Sequence, residues 1–181
     1  MKKNPIKECL VNPTEEETLA REPLIAFSFY LSGRNNTLLS LSDEIIKNID
    51  DGFSMNTLQG GQLERASTLM WLWTLGAYEV VRTMCQAKEC FSENFYKRIS
   101  ELKNDLAKAR MPSSKMEKKG KKIPVNSNRS PDGWDVSDKD LLIGDPEDHI
   151  SGRTLLKRYD EVMSSLTIED VKKRHEESYK T

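Results

Sequence analysis

The sequence predicts an all-α protein, a helical bundle of four to five helices with an irregular charged insertion at about 112–148. Two observations carry this. Apolar residues recur every three or four positions through most of residues 24–111 and again after 151, the spacing that places them on one face of a helix. The stretch between, 112–148, has no such period and holds four of the seven prolines, at 112, 124, 131 and 146. The 181 residues, 36% hydrophobic and 31% charged, suit a single domain, read as residues 14–181 behind an N-terminal arm at 1–13.

Thr14 followed by Glu15, Glu16 and Glu17 marks a helix start, because a hydroxyl cap and first-turn carboxylates satisfy free amides and the helix dipole. A long helix is predicted over about 24–49, with Leu24, Phe27, Leu31, Leu38, Leu41, Ile45 and Ile49 in step. Gly33 allows a break with a restart at Thr37; a helix that runs through instead aims Arg34 along the inner face. Residues 62–88 give the clearest signal. Leu63, Ala66, Met70, Trp73, Ala77, Val81 and Met84 form one stripe, and Trp71, Leu75 and Tyr78 a second on another side. A helix apolar on two sides must be covered on both, by its own neighbours or by another subunit.

A third helix is predicted over about 92–111 from Phe95, Ile99, Leu102, Leu106 and Ala109, ending at Met111-Pro112. Within the insertion, Lys122–Val125 and Trp134–Val136 can pair as a small hairpin limited by Pro124, and Leu141-Leu142-Ile143 is placed to anchor the segment on the bundle. Leu155, Tyr159, Val162 and Leu166 share a helical face, and Thr167-Ile168-Glu169-Asp170 has the form of a capping box opening a last, loosely packed helix.

With 28 basic and 29 acidic residues the net charge is −1, so the chain as a whole calls for neither nucleic acid nor membrane. Three cysteines, Cys9, Cys85 and Cys90, fit a reducing compartment better than a disulfide scaffold. The opening Met1–Pro5 has charge without an apolar stretch behind it, unlike a secretory signal, and a cytoplasmic location is expected. The charge is nevertheless segregated. Residues 97–129 hold eleven basic and three acidic residues, a net of +8; residues 132–148 hold seven acidic residues and one lysine, a net of −6. Lys115, Lys118, Lys119, Lys121 and Lys122 can serve as an arm for phosphates, or fold onto the acidic neighbour.

Tests for chemistry find no catalytic set, metal motif or cofactor motif. Cys85 and Cys90 lie five apart with no second pair, and neither His149 nor His175, the latter expected to be exposed, has ligand spacing. No Gly-x-Ser-x-Gly turn or phosphate loop occurs. The polar group that stands out is Arg34 with Asn35, together with Glu79 and Arg82, which can meet at i,i+3. It reads either as an ion-pair network fixing helix register or as a small polar pocket between two helices that holds an anion.

The Arg34-Asn35 pair in a helical chain of this size superficially resembles the opening of the HEPN-type ribonuclease motif: an Arg, a polar residue, then a His several positions on. Leu39 to Leu41, where that His falls, hold none, and no histidine precedes His149. The resemblance covers two residues, and what it implies is a catalytically degenerate relative. The expected function is a non-catalytic helical interaction module, self-associating or part of a protein complex, docking through the Trp71/Leu75/Tyr78 side or through Phe27, Phe29 and Tyr30. The alternative is a nucleic-acid-associated protein using 97–129.

Overall fold

The computed structural model describes residues 9–54, 57–118, 120, 124 and 130–179. Among them the chain is mostly helical, with α1 (Glu15–Arg21), α2 (Leu24–Phe27), α3 (Phe29–Gly52), α4 (Gly60–Gln86), α5 (Glu93–Lys115) and α6 (Gly152–Met163). Between α5 and α6 lie β1 (Asp132–Asp135), β2 (Asp140–Asp145) and β3 (Asp148–Ser151), which form an antiparallel sheet in the order β1-β2-β3. None of the described helices is long and apolar enough to cross a membrane.

Helix α4 is the core rod. Leu63, Ala66, Met70, Trp73, Ala77, Val81 and Met84 are all buried, between α3 on one side and α5 on the other. The Trp73 indole N–H donates to the Leu38 carbonyl at 3.1 Å, so this buried ring sets the height of α3 against α4. Its edge meets the Tyr159 ring of α6 with centroids 5.2 Å apart. Close packing at both ends of the pair is set by glycine. A Cβ on Gly52 falls 2.4 Å from the Leu63 side chain, and one on Gly76 falls 3.1 Å from Leu38.

Helix α3 runs through Gly33 as one 24-residue element, but the expected helix over 24–49 is interrupted at Ser28. Ser28 is extended, and its hydroxyl accepts from the Leu31 amide, so it caps α3 and leaves Leu24–Phe27 as a separate turn. Helix α5 passes the expected stop at Pro112 and continues to Lys115. Proline removes the amide bond to Lys108 and crowds its carbonyl. That carbonyl lies against Gly144 of β2, where a Cβ would be 3.3 Å away and φ is +100°. The buried Pro112 is thus tolerated beside a strand that has no side chain at the contact.

The sheet corrects two expectations, the all-α class and the irregular insertion. β1 pairs with β2 (Trp134 opposite Leu141); the other half of the expected hairpin, 122–125, lies outside the described residues except for Pro124. Leu141 and Ile143 are buried and alternate with Leu142, which anchors the segment as expected. Strands of four to six residues bounded by aspartates give too short an alternation to be distinguished from loop. Asp140 fixes the sheet to α6. Its buried carboxylate accepts from the amides of Leu141 (2.7 Å) and Arg153 (3.2 Å) and from the Ser151 hydroxyl, and so sits at the N-terminus of α6. Arg153 then reaches Asp50 of α3 at 2.6 Å.

The capping box at Thr167 and Asp170 forms, yet it opens only a three-residue 3-10 turn, not the expected helix. The chain is diverted because Val171 bridges Phe91, while Asp170 accepts from Ser92, the cap of α5. His175, expected to be exposed, is half-buried with its ring 4.9 Å from that of Phe27.

Candidate functional site

Helix α3 separates two grooves, and the polar residues singled out in the sequence divide between them. Tyr30, Gly33, Arg34 and Thr37 follow at i, i+3, i+4 and i+7, and so share one face of α3. Opposite them on α4 stand Leu72, Gly76 and Glu79 on one helical face. The groove between the two helices holds about 340 Å³ and is walled chiefly by apolar atoms, with Arg34 on one rim and Glu79 on the other.

Arg34 is exposed, not turned inward. Its guanidinium donates to the Tyr30 hydroxyl through Nε (3.0 Å) and Nη2 (2.7 Å) and lies 4.9 Å from the centre of that ring. Glu79 pairs with Arg82 at 2.7 Å as the i,i+3 spacing requires. No ion pair joins Arg34 to Glu79 among the described residues. Tyr30 in the groove wall is 66% exposed, Leu72, one turn before Gly76 on α4, is 48% exposed, and Phe29, next to Tyr30 in the chain, is 80% exposed. Phe27, the remaining member of the expected aromatic run, is buried against Phe91.

Asn35 faces away from that groove. Its Oδ1 accepts from the Tyr159 hydroxyl at 2.9 Å, and burial pushes the Tyr159 phenol far above its ordinary range. On the same side, the Glu22 carboxylate accepts from the Ser32 hydroxyl (2.8 Å) and the Asn36 amide (2.9 Å), both donors buried in α3. The sequence reading passed over Glu22, Ser32 and Asn36. The available signal was two polar residues at i,i+4 on a helix whose neighbouring faces are apolar.

The Trp71/Leu75/Tyr78 side is largely covered by the chain itself. The Trp134 indole N–H donates to Ser67 at 3.1 Å, one turn before Trp71, and the Arg110 guanidinium of α5 lies 4.8 Å over the Tyr78 ring. Leu75 and Tyr78 are half-buried, and Trp71 keeps 41% exposure.

Of the basic candidates, Lys115 is exposed at the end of α5. Lys118 meets Glu147 at 2.6 Å and Asp145 at 3.3 Å, and hydrogen bonds to these carboxylates hold its ammonium above the usual lysine value. The basic and acidic blocks therefore touch at the β2–β3 turn. Lys119, Lys121 and Lys122 lie outside the described residues. Cys85 and Cys90 are buried, and burial pushes both thiols up, away from reactivity. Among the described residues no cluster of three or more His, Cys, Asp or Glu is arranged to hold a metal ion. No known protein family, curated protein or solved structure matches this chain.

Proposed function

We propose that this chain is a non-catalytic helical interaction module that pairs reversibly with a second copy of itself through the α3/α4 groove. The observation that carries the reading is an apolar-walled groove that includes the exposed Tyr30, with a cation on one wall and an anion on the other. A two-fold contact is self-complementary, since residue i of one copy meets residue j of the other and the reverse. Arg34 and Glu79, unpaired with each other within one chain, suit that exchange.

Gly33 supports the same reading. It costs α3 about 1 kcal/mol relative to alanine, and among the described residues nothing beyond its own helical turn and chain neighbours lies within 4 Å of where a Cβ would sit. Its use is to let another helix approach closely. From Tyr30 to Thr37 and from Leu72 to Glu79 the face spans about two turns of each helix, roughly 11 Å. So short a face suits a contact smaller than the about 800 Å² per partner of a stable complex, and the proposed pairing is weak and exchanging.

Sedimentation velocity over a concentration series tests the proposal. The wild type should shift from monomer toward dimer, and Leu72→Glu should remain monomeric with its melting temperature unchanged, because Leu72 is half exposed. A wild type that stays monomeric at the highest concentration refutes self-association. The nucleic-acid alternative rests on Lys115 and on lysines outside the described residues, since Lys118 is already engaged. Its test is salt-dependent binding to a random strand, with loss on reversal of Lys118, Lys119, Lys121 and Lys122 to Glu.

A further inference from the structure

The geometry points to a second site, independent of the dimer groove: the pocket between the α1–α2 link, α3 and the end of α6 binds a primary ammonium group carried on a short apolar stem. The pocket holds about 180 Å³. Its carboxylate, Glu22, is positioned by the interior of the protein, because the Ser32 and Asn36 side chains that donate to Oε2 are 3% and 4% exposed. Two buried neutral donors on one oxygen fix the carboxylate plane without neutralising it. Among the described residues no cation lies within ion-pair distance of Glu22, and no donor bonds Oε1.

A carboxylate in a half-enclosed pocket that no cation touches attracts one, although Arg21 stands at the mouth. The neighbouring groups narrow its kind. Asn35 also lines the pocket, and its Oδ1 is already taken by Tyr159. Leu24, Leu39 and Met163 supply an apolar strip of the wall beside the polar Arg21 and Ser164, and that strip gives a short hydrocarbon stem a place next to the carboxylate. A staple between the α1–α2 link and α3 is also achieved by these bonds, but a staple needs only acceptors. A neutral amide in place of Glu22 keeps an acceptor for both donors, in bonds without the charge. The charge is what the ligand reads. Arg21, exposed at the mouth, offers a partner to a ligand that carries a carboxylate as well.

The experiment is a titration of the full chain with n-butylammonium chloride, followed through the side-chain amide signals of Asn35 and Asn36 by NMR. Parallel arms use L-norleucine as the zwitterion and tetramethylammonium as a cation that cannot donate hydrogen bonds. The expected result is saturable millimolar binding of butylammonium, no saturation with tetramethylammonium, and about tenfold weaker binding in Glu22→Gln. Tighter binding of norleucine, lost in Arg21→Ala, assigns the ligand to amino acids; equal or weaker binding assigns it to simple amines. Glu22→Gln retains the acceptor for Ser32 and Asn36, so its melting temperature should match wild type. Absence of saturable shifts, or equal butylammonium affinity in Glu22→Gln, overturns the site and leaves the dimer reading untouched.

Discussion

Replacing Asp140 with alanine removes a buried carboxylate that serves three donors at the junction of β2, β3 and α6. The Leu141 and Arg153 amides and the Ser151 hydroxyl would lose their acceptor, while Arg153 would keep Asp50. A bond to a charged group contributes about 1.5–3 kcal/mol, but the three are not additive, since some freed donors regain water. Breaking a buried charged network by deleting one member costs about 3–5 kcal/mol. For a chain of this size each kcal/mol moves the melting temperature by about 2–4 °C, so Asp140→Ala should melt roughly 6–20 °C lower. Asp140→Asn keeps one acceptor oxygen and should lose roughly half as much. Urea denaturation followed by far-UV circular dichroism gives the two free energies. Hydrogen exchange at the Arg153 amide should accelerate in the alanine variant before exchange in α4 does. A loss below about 1 kcal/mol for alanine would refute the claim that this carboxylate locks the sheet to the bundle.

Three other outcomes follow from the same structure. Trp73→Phe deletes the bond to the Leu38 carbonyl and leaves a void beside Tyr159, so it should cost about 2–3 kcal/mol by chemical denaturation. Gly144→Ala forces a side chain into a left-handed backbone beside the Lys108 carbonyl and should cost about 1–3 kcal/mol; a neutral effect would mean that β2 does not press on α5. Burial raises the Asp132 carboxyl above its usual value, against the Ser113 hydroxyl, which lowers it. Its contribution is therefore full below the unfolded pKa and is lost as pH rises through the higher folded one. Asp132→Asn should accordingly be more stable relative to wild type at neutral pH than in acid, measured as melting temperature against pH.

How much of this was legible in the sequence depended on the length of each signal. The α4 stripe repeats over seven positions, and every residue in it is buried. Periodicity over so many turns leaves one solution. The same rule placed α5 and the face of α6. It failed where a single residue decides. Ser28 breaks the first helix by accepting the Leu31 amide, although its neighbours keep helical spacing on both sides. Pro112 normally ends a helix, and only the glycine of a strand 32 residues later shows why it does not. Sheet β1-β2-β3 is held by Asp140 and by two buried residues of one six-residue strand, which no window of useful length detects.

The candidate sites were visible as residue types but not as places. Arg34 and Asn35 are adjacent in sequence, yet 100° of helical rotation sends them to opposite grooves, one beside Glu79 and the other beside Tyr159. Arg82 stays with Glu79, as i,i+3 spacing dictates. The Trp71/Leu75/Tyr78 side reads from the sequence as a second apolar face. What the sequence could not convey is that Arg110 and Trp134 of the same chain lie against it.

The pairing of two chains across that groove is tested most directly by charge exchange. Dimer dissociation constants from equilibrium sedimentation would be compared for wild type, Arg34→Glu, Glu79→Arg and the double variant that carries both. Each single variant sets like charges against each other across the two-fold and should weaken the dimer, whereas the double variant restores opposite signs and should recover most of the affinity. Equal dissociation constants for all four proteins, or a double variant as weak as the sum of the singles, would contradict the account.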